Sequence, residues 1–205
     1  MVVLASLRAI PGAIAIAGAV ILGLSVLGAR YSELHPLEMR VFRAVNGMPG
    51  WLYVPLLVPM QYGNFMVGLL GGVAVGLLLG EPTTAVAVVL AALAKLAVER
   101  GIRQRMAGFS QVRQRPGTSE PGAILRGADV PKQGASFPSG HVILAAAIST
   151  VLSSSLSPGW ALVPWVLAAL VMLGRVYVGA HNPLDVTAGL GAGMIIGGVL
   201  DMLFR

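Results

Sequence analysis

Apolar and polar positions along this 205-residue chain alternate in long blocks rather than with the short period of strands or of helices on a soluble surface. Ile10 to Ala29 is an apolar stretch of about 20 residues, the length that crosses a bilayer. It is long for the core of a signal peptide, and Leu27-Gly28-Ala29 is a poor cleavage site, so it reads as a first membrane span. Arg30 to Gly50 is mixed, with Arg30, Glu33, His35, Glu38, Arg40 and Arg43. Within it Leu37, Val41, Val45 and Met48 recur at near-helical spacing, which predicts an amphipathic helix lying at the interface. Trp51 and Tyr53 follow as interface anchors. Val54 to Met60 is apolar, Gln61-Tyr62-Gly63-Asn64 interrupts, and Phe65 to Gly80 is a Gly-rich span entered from the Val54 run. After the Glu81-Pro82 turn comes a span from Thr83 to Val98, extending as far as Arg105. The later spans are Val142 to Leu156, Trp160 to Val178 and Leu184 to Phe204, separated by Ser157-Pro158-Gly159 and His181-Asn182-Pro183. The expected architecture is all-α and integral to the membrane. It has six transmembrane helices, an interfacial amphipathic helix, and both termini on one side, in a single domain covering residues 1–205.

Composition agrees with that class. Hydrophobic residues make up 56% of the chain and charged residues only 11%, against roughly 25% charged in a soluble domain. The net charge is +6, carried by 12 Arg and 2 Lys. In a membrane protein such charge serves acidic headgroups or a phosphorylated substrate rather than nucleic acid. There is no Cys, which excludes disulfides, thiolate catalysis and Cys-ligated metals. The basic residues cluster. Glu99 to Gln133 is polar and rich in Gly and Pro, and holds Arg100, Arg103, Arg105, Arg113, Arg115, Arg126 and Lys132 against Glu99, Glu120 and Asp129. A loop this long without regular structure is usually functional.

Two further segments carry candidate chemistry on the membrane face that this loop occupies. In Phe137-Pro138-Ser139-Gly140-His141, Ser139 is a good N-cap for the helix that the next apolar run implies. The unpaired N–H groups and positive dipole end of such a helix make an anion site, and His141 in its first turn could pass a bound anion a proton. In Gly174 to Asp185, Pro183 suits a first helical turn, which puts His181 just ahead of it and Asp185 four residues on. A carboxylate there can hold one imidazole nitrogen and leave the other as nucleophile or base. Arg175 ends the preceding span close by, and intramembrane ionisable groups are functional candidates by default. A structural ion pair between Arg175 and Asp185 is the plainer alternative.

These residues resemble the type 2 phosphatidic acid phosphatase family, relatives of the vanadium haloperoxidases. The family carries K-x6-R-P, then P-S-G-H, then S-R-x5-H-x3-D. Pro138-Ser139-Gly140-His141 fits the second motif completely. Arg175, His181 and Asp185 fit the spacing of the third, with Gly174 in place of the Ser. The first departs: seven residues after Lys95 stands Ile102, and seven before Arg115-Pro116 stands Gly108. An insertion between the two halves would leave Lys95 and Arg115 in their roles; alternatively Arg103 or Arg105 replaces the lysine. Arg100, Arg113, Arg126 and Lys132 read as headgroup contacts.

The resemblance implies a haloperoxidase-like helical core and a lipid phosphatase needing neither metal nor cofactor. His181 would form a phosphohistidine, with Asp185 orienting it and His141 serving as acid, then base. Arg115, Arg175, Lys95, Ser139 and the Gly140 N–H would hold the phosphoryl oxygens. The substrate would be a polyprenyl diphosphate, phosphatidic acid or phosphatidylglycerol phosphate, its tail among membrane lipids. A lipid phosphotransferase would use the same residues, and a non-enzymatic lipid-phosphate binding or transport protein is the alternative of another class. The site face carries Arg30, Arg40, Arg43, the loop and Arg175, against Arg8 and Arg205 opposite. The positive-inside rule alone would put that face in the cytoplasm. Relatives acting on polyprenyl carriers often face outward, and several of these arginines are there for phosphate, so the expectation is a cell-membrane protein with an outward-facing site.

Overall fold

The computed structural model describes residues 11–30, 34–107, 113–128 and 130–204. Arg8, Glu33, Gly108, Asp129 and Arg205 lie outside the described residues. Those described are helical, joined by turns and by one long loop containing an isolated antiparallel bridge between Gln114 and Ala135. In order, the helices are α1 (Pro11–Gly28), α2 (Pro36–Asn46), α3 (Tyr53–Met60), α4 (Phe65–Leu78), α5 (Pro82–Met106), the single turn α6 (Pro116–Ser119), α7 (Gly140–Ser155), α8 (Val163–Tyr177) and α9 (Pro183–Phe204). Short 3-10 turns, Gly50–Leu52 and Gln61–Gly63, flank α3.

Helix starts follow local chemistry. Proline opens α2, α5, α6 and α9, where its missing N–H would have had no intrahelical partner. Asn64 caps α4, its side chain accepting from the N–H groups of Met66 (3.0 Å) and Val67 (3.3 Å). At this cap the Gly50–Gly63 and Phe65–Leu78 segments meet at 69°. The apolar run from Val54 therefore enters α4 through a sharp bend.

α7 is the centre of the bundle. Every residue from Val142 to Leu152 is buried, so the helix is apolar all round because protein surrounds it on all sides. α5, α8, α9 and the bent α4 pack against it, and α1 covers the far side of α9. α9 gets close to α7 through a glycine every fourth residue. A Cβ at Gly189 would strike the Ser139 carbonyl, at Gly193 the Ile143 carbonyl, and at Gly197 the Ala147 carbonyl and the Thr150 side chain. Small residues at this spacing let two backbones touch where burial of apolar surface offers no driving force. The outer surface is inverted relative to a soluble protein: Ile16, Leu24, Val58, Leu70, Leu78, Leu93 and Leu203 are all exposed.

α2 differs from its expected form. The stripe facing the protein is Glu38, Phe42 and Asn46, all buried, while Leu37 and Val41 point outward. Asn46 can be buried because it has built-in partners. Asn46 accepts from Ile124 N (2.8 Å) and donates to the carbonyls of Ile124 and Tyr177 (2.9 Å each). Arg126, expected at a headgroup, instead donates to the carbonyls of Asn46, Tyr177 and Met48 and lies 4.2 Å over the Tyr177 ring. It fastens the basic loop to α2 and to the end of α8.

Among the described helices, α9 alone is long and apolar enough to cross a bilayer unaided, joined by the bent Gly50–Leu78 pair if that counts as one span. α1, α7 and α8 are apolar but shorter. The all-helical class holds; the count of six crossings does not follow from helix lengths.

Candidate active site

The C-terminal ends of α5 and α8 and the N-terminal starts of α7 and α9 meet at one end of the bundle, because consecutive long helices run antiparallel. That end collects the candidate residues. α7 starts at Gly140 with Ser139 in the cap position and extended. The Ser139 side chain makes no capping bond, and its buried Oγ is without a hydrogen-bond partner. Its N–H donates to the Asp185 carbonyl at 3.0 Å, which ties the start of α7 to the first turn of α9.

α9 begins at Pro183, and the fully buried Asp185 closes its first turn by accepting the Asn182 N–H at 2.8 Å. A carboxylate two residues into a helix binds the cap N–H and complements the positive dipole end. The other Asp185 oxygen accepts from Arg113 Nε at 2.9 Å. Arg113 is itself buried and its Nη2 also donates to Glu38, whose Oε1 accepts the Leu184 N–H at 2.9 Å. Two carboxylates and one guanidinium thus hold the first turn of α9. Arg113 is not a headgroup contact, and the alternative pairing of Arg175 with Asp185 gives way to Arg113 with Asp185. A guanidinium suits this place, since its planar fork serves two carboxylates at once.

His181 sits in the turn between α8 and α9 and is 3% exposed. Its Nδ1 lies 3.7 Å from Asp185 Oδ2, longer than a hydrogen bond. The turn is fixed by the Arg175 carbonyl, which accepts from both Ala180 N (3.1 Å) and His181 N (3.2 Å), and by Gly179 at φ +77. Burial pushes the His181 imidazole below its ordinary pKa, against the upward pull of the Asp185 carboxylate. Arg115 is half-buried and its Nη1 donates to the Ala180 carbonyl at 2.9 Å. Burial and the neighbouring Arg103 charge lower the Arg115 pKa, while Asp185 and Glu99 oppose them.

The basic loop delivers Arg113 and Arg115 by pairing with the segment that leads into α7. Arg115 N donates to the Gly134 carbonyl (3.2 Å) and Ser136 N to the Arg113 carbonyl (3.0 Å). His141, in the first turn of α7, lies within electrostatic reach of Arg175, His181, Lys95 and Arg115. The residues singled out in the sequence therefore converge. Lys95, on α5, pairs with Glu99 within electrostatic reach of His141, whereas Arg105 is exposed. Arg103 lies one helical turn beyond Glu99 and pairs with it at 2.7 Å. Arg100 and Lys132 are exposed, as a headgroup role requires.

Three members escaped the sequence reading. Arg113 was hidden in a run of similar arginines. Glu38 stood out only as the acidic residue in register with Phe42 and Asn46. Glu99 was legible as the midpoint of Lys95-x3-Glu99-x3-Arg103, whose i,i+4 spacing puts all three on one helix face. Chemically, the site offers a buried imidazole backed by a carboxylate, a second imidazole at a helix start, and several cations around them. Such a set can bind an oxyanion and move a proton.

A family model described as the PAP2 superfamily matches residues 83–203, which include every convergent residue except Glu38. Among solved structures, the chain is similar to Aquifex aeolicus LpxE with a TM-score of 0.70 and 24% identity, over 82% of this chain and 96% of that one. It is also similar to the transmembrane PAP2-type phosphatidylglycerolphosphate phosphatase of Bacillus subtilis, with a TM-score of 0.65 and 18% identity, over 95% of each chain. At these identities the likeness is one of fold. No curated protein matches the chain.

Proposed function

The chain belongs to the PAP2 superfamily, and on that premise we propose that it is an integral membrane phosphatase acting on a phosphomonoester or diphosphate carried by a lipid. The observation that carries the reading is the His181–Asp185 pair at the start of α9, set beside His141 at the start of α7 and ringed by Lys95, Arg115 and Arg175. Asp185 faces Nδ1, so Nε2 of His181 is the nucleophile. It forms a bond to phosphorus as the bond from phosphorus to the ester oxygen breaks, and His141 donates the proton that the departing oxygen takes up. His141 then removes a proton from water, which attacks phosphorus, releases inorganic phosphate and frees His181. Asp185 stabilises the positive ring of the intermediate. Arg115, Arg175, Lys95, the Ser139 hydroxyl and the Gly140 N–H take the phosphoryl oxygens. Phosphoryl transfer depends mainly on such positioning and charge neutralisation, and on this reading the cations do the work that a metal would otherwise do.

The substrate classes that fit are polyprenyl diphosphate, phosphatidic acid and phosphatidylglycerol phosphate. The last gains support from the fold shared with the Bacillus subtilis phosphatidylglycerolphosphate phosphatase, and the abundance of Arg favours a diphosphate. In the membrane, α1, the bent α3–α4 pair, α5, α7, α8 and α9 would make the six crossings, with α2 at the interface and the site facing outward. A reporter fused to the C-terminus should then register on the cytoplasmic side. The decisive assay is phosphate release from a panel of these lipids, with and without chelator, by purified wild type and His181→Ala. Metal-insensitive release that disappears in the variant is expected. Full turnover by His181→Ala would overturn the mechanism, transfer of the phosphoryl group to an alcohol in place of water would make the protein a phosphotransferase, and binding without release would make it a carrier.

A further inference from the structure

Glu99 carries a role that the proposed mechanism leaves unassigned. Its carboxylate bridges Lys95 Nζ and Arg103 Nη2, each at 2.7 Å, and its side chain is only 16% exposed. Taken alone, two i,i+4 pairs on a helix are commonplace. The position of the carboxylate is not. A Cβ built at Gly140 would collide with both Glu99 oxygens and with the carbon between them. The carboxylate therefore lies flat against the bare Cα of the first residue of α7, where a helix presents unpaired N–H groups and its positive end. The adjoining residue holds the buried Ser139 Oγ, which has no hydrogen-bond partner. Arg115 is within electrostatic reach of the same carboxylate. One cation assigned above to the phosphoryl oxygens, Lys95, thus already holds an anion supplied by the chain itself, and that anion lies beside the helix start and the unpartnered Ser139 hydroxyl.

We propose that Glu99 is a specificity-determining residue, an internal surrogate for the phosphoryl group that an incoming phosphate has to displace. This inference rests on the phosphatase reading for its consequence, though not for its geometry. A phosphoryl group has more charge and three acceptor oxygens against a carboxylate's one charge over two, but the Glu99 carboxylate is tethered and competes at high effective concentration, so exchange favours the phosphoryl group only when other contacts assist it. A lipid phosphate has that assistance from its tail in the bilayer. Inorganic phosphate has none. Glu99 accordingly discriminates against the free product and returns to Lys95 as the product leaves.

The test compares wild type, Glu99→Gln and Glu99→Ala in detergent. Two quantities are read: the affinity for inorganic phosphate by calorimetry, and lipid-phosphate turnover with inorganic phosphate as inhibitor. Glu99→Gln keeps the shape and removes the charge, so it guards against loss of fold. The expected result is at least tenfold tighter binding of inorganic phosphate in both variants, with product inhibition stronger by the same factor. Unchanged or weaker phosphate binding in both variants, with turnover intact in the wild type, overturns the inference and leaves the function standing. Absence of lipid-phosphate turnover in the wild type, with phosphate binding still tightened tenfold by Glu99→Gln, overturns the function and keeps Glu99 as the anion that fills this place.

Discussion

α9 carries a buried aspartate at each end, and the two are treated differently. Asp185, in the first turn, accepts from the Asn182 N–H and from Arg113, and sits at the positive end of the helix dipole. Asp201, in the last turn, is 5% exposed and accepts from the Ser154 hydroxyl at 2.5 Å, at the end where the dipole disfavours negative charge. The nearby Thr84–Ser155 hydroxyl pair (2.6 Å) continues the same chemistry of small neutral groups. Among the described residues, one end of the bundle concentrates cations, carboxylates and imidazoles, while at the other Asp201 and Thr84 each meet a serine hydroxyl. The polarity of the helices explains the division. α7 and α9 both start at the site end, so their free N–H groups favour anions there, whether a side chain or a phosphoryl group. α5 and α8 end there, and their last turns favour Arg103 and Arg175.

The contrast is tested hardest at Asp185. Asp185→Asn should lower turnover by roughly 10³–10⁴-fold, since losing the carboxylate behind a catalytic imidazole costs about that much where the geometry is otherwise kept; a drop of less than tenfold, measured by phosphate release, would break the assignment. Next is Arg113→Met, which strands the Asp185 and Glu38 carboxylates in the interior. Removing one partner of a buried ion pair costs about 3–5 kcal/mol, so thermal unfolding in detergent should show a large loss, only partly recovered by Arg113→Lys because the fork is lost. An unaltered midpoint would reduce Arg113 to the headgroup contact that its sequence suggested. A third measurement sharpens the picture of His181. Burial depresses its pKa, so the ring stays neutral and nucleophilic below the pH at which a free imidazole protonates, and the acid limb of kcat/KM should lie below the usual histidine range. A limb at or above that range would mean that His181 is hydrated and exposed. The smallest effect belongs to Asp201→Asn, which keeps a partner for Ser154. Turnover within twofold of wild type and a stability change of about 1 kcal/mol or less are expected; damage comparable to Asp185→Asn would abolish the distinction between the two ends.

The second and third motifs were readable because each is compact and sits at a helix start. Ser139-Gly140-His141 and His181-x3-Asp185 need only local geometry to present their side chains, and punctuation by Pro138 and Pro183 marks those starts. The helices themselves were placed to within a few residues by block hydrophobicity. The first motif resisted, because its members reach the site from separate directions. Lys95 arrives along α5, while Arg113 and Arg115 arrive on a loop pinned to residues 134–136. In α2, spacing predicted an apolar stripe, and the structure instead turned Glu38, Phe42 and Asn46 inward. Leu37 and Val41 need no protein partner when the surroundings are themselves apolar, whereas Glu38 and Asn46 do need partners and find them only inside.

The sequence by itself determined that this is a helical membrane chain and where its helices start, and it singled out two histidines, an aspartate and a set of arginines as the candidates for its chemistry. Those properties reside in runs of a few residues, where periodicity, capping and motif spacing act locally. Only the tertiary structure decided which cation serves which anion. Arg113 reaches Asp185 across 72 residues and Glu38 across 75, and Glu99 lies against Gly140 because α5 and α7 pack side by side. Among several arginines of similar local context, the partner is chosen by which one the folded loops bring within about 3 Å of a buried carboxylate, the range in which a charge-assisted hydrogen bond forms.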